Sequence, residues 1–448
     1  MSHRLFLFLL IAVLSASACA RSSRTRTLPD PDLSLLTSPD FDRQARRFET
    51  KALGTLPELL EAGVMLNPQL RSLAFRILAR KSLADQGLTF DTPMISLFSM
   101  GLAAKWSVMV SQKIPWPSKL RQDLESRRAQ VQVAAAELAV VRNVLLRAVK
   151  VKYFELYEIG RNLERMDRKL ALQKKMLALQ RATWPTAAGG TTELVLLDAA
   201  IAQTDNERLL LEASRTRTVE ELNALLGRRS GRITVSGGLP WKLRPPRETL
   251  LRKALVHAPE IGKLRAELQA RASSEQGVRL RYVPDLQVSA GWGGASDPAM
   301  GGASSPEASI MLGLSIRIPD WHSNLSHQLK ALRYEQDAIR AGIDAAELRI
   351  GSELRNLLTR YDALQAVRCR VAGSILPRTR KAVETLTVSW SAGADNLQKL
   401  LQLVDLELQL EAQVDNGLAQ MATVLALIEE LTGETVGAAD PVGESCQK

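Results

Sequence analysis

Aromatic residues make up only 4% of this 448-residue chain, too few to dominate a large globular core. Histidine occurs four times and cysteine three times, so little material exists for a metal cluster or a disulfide framework. His322 and His327 are five apart, which suits neither face of a helix as a metal pair. Gly291-Trp292-Gly293-Gly294 reads as loop glycine between strands, with no P-loop Lys-Ser/Thr after it. Asp405 and Glu407 lie two apart on a helical pattern and cannot face one another. These absences predict no enzyme, no cofactor and no metal site. Proline is missing from about residue 119 to 182, where Gly160 is the single glycine. That gap admits one very long helix. Leu, Ala, Arg, Glu and Gln carry much of the chain, as in long packed helices. The formal charge is +11, yet the basic residues are interleaved with acids, as in Glu155, Glu158, Arg161, Glu164, Arg165 and Arg168. That pattern reads as a solvated helix face and not as a nucleic-acid surface.

The N-terminus predicts a compartment. His3 and Arg4 precede an apolar run from Leu5 to Leu14, and Ser15-Ala16-Ser17-Ala18 leads into Cys19. A ten-residue apolar run is too short to span a bilayer and reads as a secretory signal over residues 1–18. Cys19 after small residues resembles a bacterial lipobox, which implies a diacylated thiol, and Ala20 leaves no Asp to hold a lipoprotein at the inner membrane. Residues 19–50, with Pro29, Pro31 and Pro39, read as an extended lipidated linker. Cys369 and Cys446 have no framework spacing, so the exported chain is expected to lack disulfides and to gain stability by assembly.

The chain also repeats itself. A constant shift aligns Leu59-Leu60, Pro68, Leu70 and Pro93 with Leu250-Leu251, Pro259, Ile261 and Pro284. Leu222 to Gly227 answers Ile428 to Gly433. Each copy has the order helix, two strands, very long helix, turn, helix. The predicted domains are a first repeat over 51–240, a second over 241–435 and a tail over 436–448. Helices are expected over about 57–89, 119–182, 192–226, 248–281 and 396–431, with an irregular stretch from Gly227 to Pro246. Leu156, Ile159, Leu163, Met166, Leu170, Gln173 and Leu177 step by three and four, the seam of a coiled coil. Ile350, Leu354, Leu357, Tyr361, Leu364, Arg368, Val371 and Ile375 do the same in the second copy.

Strands are predicted over Met94 to Met100, Trp106 to Ile114, Tyr282 to Gly291 and Ser309 to Ile318. Trp106, Val108, Val110, Gln112 and Ile114 share one face. These lengths suit transmembrane strands, but closed barrels begin at eight, so several chains must contribute. The ~63-residue helix extends roughly 95 Å, and the ~35-residue return helix only about 52 Å. The half-helices therefore stack to match the long ones. The fold class is mainly α with a small β part: a helical barrel wall with four strands per chain in a shared β-barrel.

These residues resemble the TolC-like outer-membrane efflux family. The resemblance rests on Ser111-Gln112-Lys113-Ile114-Pro115-Trp116-Pro117-Ser118-Lys119, Ile375-Leu376-Pro377 and Leu225-Leu226-Gly227, and it covers about residues 50 to 433. At the two turns, Gly189, Thr192, Leu197 and Ala199 follow the family pattern, and Gly393, Asn396 and Leu401 follow it less fully. The resemblance implies a homotrimer with a twelve-stranded barrel in outer-membrane lipid and an α-helical tunnel in the periplasm. It further implies a periplasmic adaptor and an inner-membrane pump, such as one of the RND type, docked at a tip built from Gly189, Gly190, Thr192, Gly393, Asn396 and Leu397. Lys399 and Gln402 stand where some members line the entrance with acids, and Trp184-Pro185 departs from the usual first turn. The implied function is a passive export duct of a tripartite efflux pump. The alternatives are the exit duct of a type I protein-secretion system and a non-conducting periplasmic coiled-coil scaffold.

Overall fold

The computed structural model describes residues 41–86, 90–99, 106–183, 190–236, 238–243, 246–294, 308–317, 324–391 and 397–439. In chain order the elements are α1 (Phe41–Thr50), α2 (Leu56–Leu66), α3 (Pro68–Asp85), β1 (Met94–Ser99), β2 (Trp106–Ile114), α4 (Pro117–Thr183) and α5 (Gly190–Leu226). They continue as β3 (Pro240–Leu243), α6 (Arg247–His257), α7 (Pro259–Leu280), β4 (Asp285–Gly294), β5 (Ala308–Arg317) and α8 (Asn324–Arg370). A π-turn (Val371–Ile375), α9 (Leu376–Ser391), α10 (Leu397–Thr432) and β6 (Gly437–Ala439) complete the described chain. The fold is mainly α with a small antiparallel sheet, as the residue pattern predicted.

Two compact units divide these elements. One holds residues 75–136 and 263–344, with the four-stranded sheet in the order β1-β2-β4-β5. The other holds the described residues of 41–74, 137–262 and 345–439, with most of the helical mass and the small sheet β3-β6. In the first unit, α4 starts beside α3 and α7: Arg127 donates to the Leu83 carbonyl at 2.9 Å, and Gln122 donates to the Ser273 carbonyl at 2.8 Å.

Each expected half-helix is broken in two. Pro68 and Pro259 have no N–H to donate and push the preceding residue out of the helical region. Asn67 (ψ 117°) and Ala258 (ψ 125°) are accordingly extended. The copies solve the break differently. Asn67 accepts from the Gln69 and Leu70 backbone N–H groups at 2.9 and 3.2 Å, which caps α3, and donates to the Leu225 carbonyl at 2.9 Å. Ala258 offers no such side chain.

The repeat shows again where α5 and α10 end. Gly227 (φ 82°) and Gly433 (φ 72°) both take the left-handed conformation that closes a helix. A Cβ on Gly227 would lie 2.6 Å from the Leu66 carbonyl oxygen and 2.9 Å from Pro68; one on Gly433 would lie 3.2 Å from Pro259. Each helix-ending glycine thus seats against the proline break of its own copy.

The structure corrects five expectations. Residues 41–50 form α1 and are not extended linker. The stretch from Gly227 to Pro246 contains β3, paired with β6 of the tail across nearly two hundred residues, a pairing no local pattern signals. Gly291 to Gly294 belongs to β4 and is not loop; β4 starts at Asp285 because residues 281–283 close a turn onto the end of α7. Cys369 is disulfide-bonded, which spacing alone could not show. Ile375 falls out of the predicted seam. Pro377 cannot donate to the carbonyl of Gly373, and the helix switches to the wider π ladder, with the Leu376 N–H bonded to the Val371 carbonyl. The extra residue per turn rotates the register, so Leu376 is buried and Ile375 is exposed.

Candidate functional site: a two-faced sheet and a charged helical wall

The strand register fixes two faces. On one lie Ile95 and Leu97 of β1, Val108, Val110 and Ile114 of β2, Leu286, Val288 and Trp292 of β4, and Ile310, Leu312, Leu314 and Ile316 of β5. Across the strands the apolar rows are continuous, for example Leu97–Val108–Trp292–Ile310 and Ile95–Val110–Ala290–Leu312. The opposite face carries Ser96, Ser107, Ser111, Lys113, Gln287, Ser289, Ser309 and Ser315.

Among the described residues nothing covers the apolar face. Leu312 and Leu314 are each 70% exposed, and Ile95 is 69% exposed. Roughly 25 cal/mol per Å² makes such a surface too costly for water, and apolar-out, polar-in alternation over about ten residues is the pattern of a strand in lipid. Part of α4 is also apolar enough by length and composition to cross a membrane. The helix beyond that part is charged, with ion pairs from Arg147 to Lys169. At the helix-proximal end of the sheet, Lys119 holds Asp285 at 2.7 Å, and Lys113 lies 3.5 Å from Asp91 and 3.6 Å from Asp285.

In the helical unit α4 lies between its own return helix α5 and the return helix α10 of the second copy. Arg208 of α5 donates to Asp167 at 2.8 Å, and Lys152 pairs with Glu221 at 2.5 Å. On the other side, Arg165 bonds Asp415 and Asn162, Arg161 reaches Asp415 at 3.2 Å, Arg168 reaches Glu411 at 2.5 Å and Lys169 reaches Asp405 at 2.7 Å. Higher up, Arg147 pairs with Glu430 at 2.6 Å, and Lys150 pairs with Glu429. The charge run expected to be a solvated face is therefore, on one side, a buried joint: Arg165 is 1% exposed. Its carboxylate partner Asp415 is 250 residues away, and so spacing could not reveal it.

Burial pushes the Glu411 carboxyl up, but hydrogen bonds from Arg380 and Arg168 outweigh it and hold the group below its usual range. Glu407 goes the other way, raised by burial and by the neighbouring Glu411. Burial lowers Arg368, which occupies a seam position and packs over Gly417, 3.6 Å from where a Cβ would stand.

Of the predicted tip residues, Gly189, Gly393 and Asn396 lie outside the described residues, as does Cys19. Gly190 opens α5 and Thr192 sits in its first turn. Leu397 is buried with Met176, Leu197, Leu400 and Val404, in a cluster that joins α4, α5 and α10 and is flanked by Val383, Leu386 and Trp390 of α9. Its place is in the packing that holds both hairpins together. Lys399 and Gln402 are exposed on the first turns of α10. Among the described residues no group of three or more His, Cys, Asp or Glu could hold a metal.

Residues 250–434 match the family model described as outer membrane efflux protein. That part of the chain is similar to the outer membrane efflux protein family. The match covers the second copy of the repeat. The family's channels are transport ducts and not enzymes. Solved structures share the fold. VceC, an outer membrane protein of Vibrio cholerae, is 17% identical with a TM-score of 0.65, over 85% of this chain and 96% of that one. The open state of the MtrE outer membrane channel of Neisseria gonorrhoeae is 15% identical with a TM-score of 0.69, over 87% and 91%. The CmeC outer membrane channel of Campylobacter jejuni is 13% identical with a TM-score of 0.59, over 95% and 92%. No curated protein sequence matches the chain.

Proposed function

We propose that the chain is the outer-membrane component of a tripartite efflux pump: a homotrimeric passive duct, coupled through a periplasmic adaptor to an inner-membrane pump. The observation that carries this is the two-faced sheet with its uncovered apolar side. Four strands cannot close on themselves, and the outer edges of β1 and β5 have no partner strand among the described residues. Three copies close twelve strands. Residues 51–240 and 241–435 act as two repeats, so an adaptor meets two kinds of groove. Cys19 carries the lipid anchor, and the turns around Gly189, Gly190, Thr192, Gly393 and Asn396 form the docking tip, braced by Leu397. Lys399 and Gln402 line the entrance, which opens when the hairpins splay.

Expression of the full chain followed by membrane fractionation tests the reading. The expected result is an outer-membrane species that runs as a trimer in cold detergent and as a monomer after heating. A monomer released with the soluble periplasmic fraction contradicts it and favours the scaffold. Lys399→Asp should shift ion selectivity toward cations; unchanged selectivity would remove Lys399 from the entrance.

A further inference from the structure

The polar face of the four-stranded sheet breaks its own rule in one place. Counting away from the helix-proximal end, Lys113, Gln287 and Ser315 form a row. Next come Met94, Ser111, Ser289 and Gly313, then Ser96, Met109, Gly291 and Met311, then Phe98, Ser107, Gly293 and Ser309. Three adjacent rows thus hold Met94, Met109, Met311 and Phe98, and every other position in them is serine or glycine.

Contact with lipid does not explain these side chains, because they lie opposite the apolar face. Packing does not explain them either, since Met94 is 58% and Met311 46% exposed. The glycine between the two methionines is part of the arrangement. Met109 and Met311 stand on either side of Gly291, about 10 Å apart at ~4.8 Å per strand spacing. A Cβ on Gly291 would sit 3.7 Å from the Met109 Cβ and 3.3 Å from the Val108 carbonyl oxygen. Any side chain there would crowd the Met109 side of this space.

We propose that Met94, Met109, Met311 and Phe98 form an apolar, thioether-rich belt on the wall of the duct, and that it binds the hydrophobic part of organic solutes in transit. The proposal rests on the channel reading above, which makes this face the inner one. Methionine suits such a surface because it is unbranched, polarisable and adapts to ligands of different shape. Serine and glycine around it keep the wall low and wettable, so solutes bind weakly enough to leave. Binding at the belt selects for apolar area and is indifferent to the sign of a solute's charge.

Two measurements on the reconstituted trimer test this. Tetraphenylphosphonium and tetraphenylborate have the same shape and opposite charge. Both should block the unitary current of the wild-type channel, and the combined variant Met94→Ser/Met109→Ser/Met311→Ser should weaken both blocks at least tenfold. Block by only one of the ions, or equal block in variant and wild type within twofold, overturns the belt while leaving the channel standing. Second, Met311→Cys should react with a charged, membrane-impermeant thiol reagent and lose conductance relative to the unsubstituted chain, and Leu312→Cys should not. The reverse result puts the methionines in lipid and overturns the proposal. A wild-type trimer that never conducts removes the channel reading and the belt together.

Discussion

Replacing Asp415, which is itself buried, with alanine should destabilise the helical unit. Asp415 is the carboxylate for Arg165, whose side chain is buried, and for Arg161, whose guanidinium reaches solvent. In Asp415→Ala, Arg161 can swing into water. Arg165 keeps only Asn162 and has no room to leave. Removing one partner of a buried ion pair costs about 3–5 kcal/mol, and the retained Asn162 contact argues for the lower end, about 3 kcal/mol. Asp415→Asn keeps an acceptor and loses the charge, for about 1–2 kcal/mol. The double variant Arg165→Met/Asp415→Leu removes both charges and fills similar volume, so it should lie within about 1 kcal/mol of the parent. Urea titration of the detergent-solubilised protein, followed by helical circular dichroism, reads these differences as midpoint shifts at constant slope. If Asp415→Ala and the double variant lose the same stability, the joint between α4 and α10 is held by packing and the charge argument is wrong.

Other expectations follow from single positions. Gly227→Ala should cost about 3 kcal/mol, from the left-handed φ and the clash with the Leu66 carbonyl, and Gly433→Ala about 1–2 kcal/mol, because its nearest neighbour is 3.2 Å away; equal losses would mean that the Leu66 contact relaxes freely. Hydrogen bonds from Gln336, Arg279 and Arg333 lower the Glu275 carboxyl from 4.5 to about 2. Its folded-state pKa is depressed, so its contribution is full above about pH 4.5 and is lost as pH falls toward 2. A shift of that size is worth about 3 kcal/mol unscreened, and the exposed Arg279 and Arg333 reduce the expectation to about 1–2 kcal/mol. Glu275→Gln should therefore flatten the acid limb of stability against pH between those values, and an unchanged limb would show that Glu275 is not its source.

The elements with strong local pattern were legible in the sequence. Alternation placed Trp106 to Ile114 as β2 to the residue, and the missing prolines placed α4 within two residues at each end. The seam from Leu156 to Gln173 is largely buried. What failed depended on partners remote in the chain. β3 needs β6, and Arg165 needs Asp415; neither pairing leaves a periodic trace. The expected helices over about 57–89 and 248–281 run through Pro68 and Pro259, yet each proline divides its helix into two, and before Pro377 the ladder changes and moves Ile375 out of the core. For the candidate site, the apolar face was visible as a set of alternating residues. The methionines opposite it were not, because only the register brings Met109, Gly291 and Met311 into one row.

The central claim is that three copies of this chain enclose a conducting path. Single-channel recording of the purified trimer in planar bilayers tests it most directly. Discrete, uniform conductance steps are expected, larger when the joint between the hairpins is loosened by Asp415→Ala. A trimer that inserts and stays silent, with and without that substitution, would contradict it.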